Sequence, residues 1–322
     1  MSVKTRLLII SDTHGEAFDV KPAHKADVVI HCGDLTDESK LTEYRKTLQF
    51  LEGLDAPLKL VIAGNHDFTL NLPAFKQRVE EAVPAIEPDL IKKEYGGYGE
   101  ARRLFDEATG ITFLDEGTHH FILANGARMT VYASPYTPSK NGNVFQYPPA
   151  TGHDFAIADG TDVVITHGPP HGIMDYSTES RRAGCPDLFA AVARARPRVH
   201  CFGYIHEGWG AKLVAWRDAI SGKPSHFADI DNERSVVVEK LVNLTAAKFD
   251  TTASMEEKTL RRAEYVDRGC CATSHCAGDD NPLGFRRHTL FVNAAIEGMS
   301  DEMPFHPPWL VDVELPLAGP EV

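Results

Sequence analysis

The sequence predicts an α/β fold, and three observations predict it. Short Val, Ile and Leu runs recur, each ends in a cluster of Asp, His, Asn and Gly, and helical patterns lie between several of them. Residues 7–10 lead into Ser11, Asp12, Thr13 and His14; 28–30 lead into His31, Cys32, Gly33 and Asp34; 60–63 lead into Gly64, Asn65, His66 and Asp67. Further on, 163–165 lead into Thr166, His167 and Gly168, and 199–202 into Gly203, Tyr204, Ile205 and His206. Apolar runs this short and continuous fit strands buried on both faces. Apolar periodicity over 41–51, 74–82, 100–108 and 187–195 predicts the helices between them. Strands alternating with helices build an α/β sheet, whose chemistry collects at the carboxyl ends of the strands. Every polar cluster falls at such an end.

A second set of strands is predicted over 119–123, 128–133, 289–294 and 309–315. The stretch 214–287 shows no clear sheet pattern: it mixes charges, an amphipathic helix over 255–266 and a cysteine cluster. It reads as an insertion before the closing strands of a single domain spanning 1–322. Gly96-Gly97-Tyr98-Gly99 is glycine-rich but follows no strand and lacks a phosphate-loop lysine, so it reads as a flexible connection.

Composition narrows the function. With 322 residues, 43% of them hydrophobic, the chain fills one large core or at most two. A formal net charge of −13 argues against a nucleic-acid polymer or an anionic membrane as partner. A small phosphorylated substrate stays compatible, because a metal's local charge outweighs the global field. The first fifteen residues hold a four-residue apolar run, short of the roughly 7–15 residues of a secretory h-region. No stretch approaches the ~18 apolar residues that span a bilayer. Six cysteines without framework spacing complete the expectation of a reduced, cytoplasmic protein.

The polar clusters together read Asp12-x-His14, Gly33-Asp34, Gly64-Asn65-His66-Asp67, His167 and Gly203-x-x-His206. Each alone occurs often by chance; a Gly-Asp pair is usually a turn. In this order, at five strand ends, they supply what a pair of divalent ions needs: a shareable carboxylate with oxygen and imidazole donors on either side. Such a pair clamps a phosphate and lowers a bound water to a pKa of about 7.

The set resembles the calcineurin-like metallophosphoesterases, whose signature runs DxH, GD, GNHD/E, a later His and GHxH. THGPPHG from Thr166, RAGC from Arg182, RPRVHCFGYIHEGWG from Arg196 and the closing LFVNAA and PPWLVDVELP are similar to the metallophosphoesterase-domain-containing branch. The resemblance implies a four-layer α/β/β/α sandwich and one or two divalent ions, drawn from Mn²⁺, Fe, Zn²⁺ and Mg²⁺. It implies that Asp12, His14 and His206 hold the first ion, Asn65 and His167 the second, and Asp34 both. His66 would protonate the leaving group with Asp67 orienting it, while a metal-bound hydroxide attacks. The expected activity is phosphodiester hydrolysis of small, cyclic nucleotides; the alternatives are a broad phosphomonoesterase and a nucleotide-binding scaffold with weakened catalysis.

One position departs from that signature. Tyr204 stands where the first histidine of GHxH belongs. Either its phenolate coordinates, or the ring fills the vacated volume and leaves the second ion weakly held. Around the motifs, His171 and Trp209 are further substrate-binding candidates, the latter by stacking on a base. Cys270, Cys271, His275 and Cys276 lack the second paired unit of a tetrahedral zinc site. His119 and His120 read as surface groups.

Overall fold

The computed structural model of the protein describes residues 1–19, 21, 25–140, 142, 144–178, 181–300 and 303–319. Its strands are β1 (Ser2–Ile10), β2 (Val28–His31), β3 (Leu58–Val61), β4 (Ile111–Phe113), β5 (Gly117–Ile122), β6 (Arg128–Ser134), β7 (Thr137–Pro138) and β8 (Gln146–Tyr147). There follow β9 (Val163–Thr166), β10 (Val199–Phe202), β11 (Gly210–Trp216), β12 (Ile230–Lys240), β13 (Cys271–Ser274), β14 (His288–Asn293), β15 (Glu297–Ser300), β16 (Met303–Phe305) and β17 (Trp309–Pro316). The α-helices are α1 (Leu41–Glu52), α2 (Leu72–Glu81), α3 (Pro88–Tyr95), α4 (Glu100–Glu107), α5 (Pro186–Ala195) and α6 (Thr252–Arg268). One sheet has the order β13-β17-β1-β2-β3-β4 and the other β12-β11-β14-β10-β9-β6-β5.

Because side chains alternate across a strand, each doubly buried run feeds two cores. Leu7, Ile9, Ile30 and Leu60 of the first sheet meet Val131, Val163, Cys201 and Val292 of the second in one apolar cluster between the sheets. Leu8, Ile10, Val29 and Val61 turn outward onto Tyr44 and Leu51 of α1 and Phe105 of α4. Val164, Phe202, Val214 and Phe291 turn outward onto Leu188, Phe189 and Val192 of α5. The result is the expected α/β/β/α sandwich.

Two stretches differ from the sequence reading, each for a physical reason. The stretch 214–287 gives an edge strand to each sheet: β12 pairs antiparallel with β11, and β13 parallel with β17. An edge strand carries charges on its open side, as β12 does at Asp231, Glu233 and Arg234, which masks the apolar signal. Helix α3 escaped notice because it buries no residue; Pro88 at its first turn was the available cue. Among the described residues, no helix is long and apolar enough to cross a membrane.

Strands β1, β2 and β3 are mutually parallel, as are β9 and β10, so their carboxyl ends lie together within each sheet. A bridge from Ser11 to Ala295 ties the end of β1 to the segment after β14. That bridge joins the two sheets at the edge where all the predicted ligands emerge.

Candidate metal centre

The turns that carry the ligands have unusual backbones. Asp12, His14, Asp34 and Tyr204 all have positive φ, between 48° and 67°, without being glycine. Such residues cost of order 1–3 kcal/mol each and persist only where surroundings impose them. Here the neighbouring turns do so: Asp12 N–H donates to the Gly33 carbonyl at 2.9 Å, and His14 N–H to the Asp34 carbonyl at 3.2 Å. The motif glycines follow from close approach. A Cβ at Gly203 would collide with the Asp12 carboxylate, and one at Gly64 with that of Asp34.

Beneath the turns stand two buried histidines that sequence reasoning passed over. His31 Nε2 lies 2.9 Å from Thr13 Oγ1, and His200 Nε2 lies 2.9 Å from Thr166 Oγ1. Burial lowers both rings to about 3, so they serve as neutral hydrogen-bonding props. An imidazole within an otherwise apolar strand, at the end of β2 and second in β10, was the signal for each.

The ligand side chains gather in two groups that meet at the acids. Asp12, His14 and His206 lie close enough to share an ion, as do Asp12, Asp34 and His167. His206 Nε2 is 3.4 Å from Asp12 Oδ1, and His167 Nε2 is 3.3 Å from Asp34 Oδ2. Two ligands about 2.1 Å from one ion stand roughly 3.0–3.4 Å apart, so these separations suit shared coordination.

Proton positions sharpen the fit. His167 Nδ1 lies 2.9 Å from the Cys32 carbonyl, which only accepts, so that nitrogen carries a hydrogen. His167 Nε2 is then free to face Asp34 Oδ2, with Asn65 Oδ1 at 3.1 Å. With His167 neutral, three acceptors converge and a cation shared among them would satisfy all three; without one, a proton on Nε2 takes that place. Likewise neither buried nitrogen of His14 makes a hydrogen bond. Titration follows the same geometry. Burial acts against the charged His167 ring, but the Asp34 charge outweighs it and raises the ring to about 9. Burial would raise Asp12, yet its bond to His206 and the surrounding imidazoles hold it below the usual carboxylate range.

His66 stands over this site with its side chain 39% exposed. Its Nδ1 donates to the Asp37 carbonyl at 2.7 Å and lies 3.4 Å from Asp37 Oδ1. Burial opposes its protonation, but Asp34 and the Asp37 carbonyl raise its pKa on balance. Asp67, expected to orient His66, does something else. Its carboxylate accepts from the N–H groups of Leu35, Thr36 and Gly64 at 2.8–3.1 Å and from Thr36 Oγ1 at 2.7 Å. It fastens the turns after β2 and β3 together, and the partner of His66 is Asp37. Burial and then the Asp34 charge still push Asp67 up to about 7, against those hydrogen bonds.

Tyr204 fills volume. Its N–H donates to both Asp12 carboxylate oxygens at 3.1 Å, and its ring packs edge-on to His167 at 5.3 Å. The hydroxyl faces Thr137 and Gln146 on β7 and β8, while burial and the Asp34 charge push the phenol pKa up. That orientation, with the hydroxyl turned to the β7–β8 pair, favours the volume-filling role over coordination. Trp209 is not at the mouth of the site: it is 1% exposed in the inter-sheet core, stacked on Trp309 at 5.0 Å, with Nε1–H donating to the Pro307 carbonyl. His171 is occupied in its own loop, near Gly184, Asp175 and His226. Cys270, Cys271 and Cys276 are buried, and among the described residues the candidate ion-holding groups include none of them, nor His275.

Glu297 was not foreseen. Its N–H donates to the Asp12 carbonyl at 3.2 Å, which anchors it to the first ligand turn. Its Oε2 stands 3.3 Å from His14 Nε2 and 3.5 Å from His206 Nδ1. It follows the Ala294-Ala295-Ile296 segment at the end of β14, and only the β1–β14 bridge brings it into the site.

A two-sheet sandwich with His, Asp and Asn donors converging at its strand ends is an arrangement able to hold divalent ions. The chain matches the calcineurin-like phosphoesterase family over residues 5–207, and it belongs to that family. It is similar to human metallophosphoesterase domain-containing protein 1, at 32% identity over 64% of this chain and 62% of that one. The chain thus spans less than two thirds of that relative's length. It is also 30% identical to the probable rhamnogalacturonate lyase C of Emericella nidulans, over 66% of this chain and 18% of that protein. Among solved structures, it is similar to a purple acid phosphatase from yellow lupin (Lupinus luteus) seeds: TM-score 0.34, 14% identity, 67% of this chain and 40% of that one.

Two expectations follow from the geometry. Carboxylates that face the outer nitrogen of a ligating histidine typically affect metal affinity by about 10–100-fold, so Glu297→Gln should weaken the first site by that range in a metal titration. Unchanged affinity would remove Glu297 from the centre. Tyr204→His should strengthen binding of a second ion by on the order of tenfold, or ~1.4 kcal/mol, while Tyr204→Phe leaves it alone. If both substitutions lower metal content, the phenol coordinates after all.

Proposed function

We propose that the protein is a metal-dependent phosphodiesterase acting on small nucleotides, cyclic nucleotides among them. Asp12, His14 and His206 would hold one divalent ion, Asn65 and His167 a second, and Asp34 both. Bound ions supply positive charge for the phosphate and a water acidified toward neutrality. His66 donates a proton to the departing oxygen: its Nδ1 is anchored on the Asp37 carbonyl, so Nε2 is the nitrogen free to face substrate. Asp67 keeps the Asp34 and Asn65 turns in register through the bonds described above.

One observation carries the diester reading. His167 contacts both Asn65 and Tyr204, and each of these two lines a different cavity. One of about 490 Å³ touches Asn65 and His66, and one of about 530 Å³ touches Tyr204. A phosphodiester has two arms to place; a monoester has one. Cavities of this size admit a small substrate. Tyr204, which displaces an imidazole from the second ion's position, favours as second reading a nucleotide-binding protein with weakened turnover.

Hydrolysis of bis-p-nitrophenyl phosphate beside p-nitrophenyl phosphate, each titrated with metal, tests this. The diester should be the faster substrate; a faster monoester would mark a broad phosphomonoesterase, and no turnover of either the binding protein. In His66→Ala, metal content should stay near wild type while turnover falls by about 10²–10⁴, least for esters with good leaving groups. Parallel loss of metal and activity would instead make His66 a ligand.

A further inference from the structure

The cavity beside Asn65 and His66 has walls of a particular chemistry. Phe68, Phe75 and Tyr95 line it, with ring centroids 5.5 Å apart for Phe68–Tyr95 and 6.0 Å for Phe75 with each of the others. The Arg78 guanidinium lies over the Phe68 ring, 4.6 Å from its centroid. Asp37 stands at the mouth, next to His66. The cover is thin: α3 buries no residue, and Leu90 and Ile86 are partly open to solvent. Phe68 and Tyr95 keep part of their surface open to this cleft while Phe75, 1% exposed, backs them, one side chain away from the proposed proton donor.

Each wall component selects something. Aromatic faces and a flat guanidinium favour a planar π-system over an alkyl chain or a sugar ring. A carboxylate beside His66 accepts from hydroxyl or amino groups. At about 490 Å³ the space takes one group of nucleoside size. We infer that this cavity binds the heteroaromatic arm of the phosphate ester, a nucleobase in a nucleotide, and so places its phosphate at Asn65 and His66. This assignment rests on the phosphodiesterase reading for its kinetic consequences, but the binding itself does not require turnover.

Two esters with the same non-aromatic leaving group isolate the arm: thymidine 5′-(2,2,2-trifluoroethyl phosphate) and methyl 2,2,2-trifluoroethyl phosphate. Wild type should favour the thymidine ester about tenfold or more in kcat/KM, in line with base stacking on aromatic side chains. Tyr95→Ala opens the wall and Val79→Trp fills the space; each should lower kcat/KM for the thymidine ester about tenfold more than for the methyl ester. Calorimetric binding of thymidine 5′-monophosphate and methyl phosphate to the metal-loaded protein gives the readout independent of chemistry. If neither ester is hydrolysed, the phosphodiesterase reading fails, while tighter binding of the nucleotide, lost in Val79→Trp and Tyr95→Ala, still supports the cavity. Equal use and equal binding of nucleoside and methyl compounds, or variants that affect both alike, would overturn it.

Discussion

The convergence of His167 Nε2, Asp34 Oδ2 and Asn65 Oδ1 is the constraint on which the surrounding structure depends. Acceptors 3.1–3.3 Å apart repel unless something positive lies among them, either an ion or the proton that Asp34 favours on His167. Burial makes the repulsion severe, because His167 and Asp12 are fully enclosed and Asp34 is nearly so. The protein accepts this cost and surrounds it with a stiff frame. Positive-φ turns at Asp12, His14, Asp34 and Tyr204 aim the side chains, and Asp67 ties the second and third turns together. The neutral pairs His31–Thr13 and His200–Thr166 underpin one turn from each sheet. A site held this way changes little when an ion arrives, which is what preorganised electrostatics needs.

The sandwich is the means by which ligands far apart in sequence reach one point. Asp12, His14, Asp34 and Asn65 come from the first sheet, His167 and His206 from the second. Neither sheet alone completes a site. The apolar residues that alternate with the outward-facing ones seal the sheets together and so set the distance between the two ligand sets. The Ser11–Ala295 bridge fixes their register at the working edge. Substitutions deep between the sheets thus act on the metal centre through geometry, without touching a ligand.

Much of this was legible in the sequence because the same feature encodes fold and site. A doubly buried strand must be an apolar run, and its carboxyl end must be polar where the ligands leave it; both show as a sharp change in composition at His14, Asp34, Asn65, His167 and His206. What escaped reading depends on contacts across the chain. Trp209 directly follows a ligand motif, yet β11 turns it into the inter-sheet core against Trp309. Asp67 sits beside His66 in sequence but faces away, toward Leu35 and Thr36. Asp37 and Glu297 carry no motif, and only the folded turns bring them to His66 and His206. Helix α3, half of the cover over the aromatic cavity, is amphipathic over too few residues to show a period.

The two ion positions are unequal, and the inequality has a direction. At the second proposed position Tyr204 stands in place of the signature's imidazole with its hydroxyl turned toward Thr137 and Gln146, which would leave His167, Asn65 and the shared Asp34. At the first, Asp12, His14 and His206 remain, and Glu297 adds a carboxylate beside both rings. Ligand charge has moved toward the first position. A weak second position would leave more of the phosphate's charge to be met by protein, and His66 and the Asn65 amide are two groups placed for it. Both border the aromatic cavity. Binding energy from the organic arm is then best placed where it acts, since an arm seated against Phe68 and Tyr95 holds its phosphate beside the two residues on which charge stabilisation falls. On the proposed reading, loss at the metal and gain at the cavity are one arrangement: a site that relied less on a second ion would rely more on the shape of its substrate.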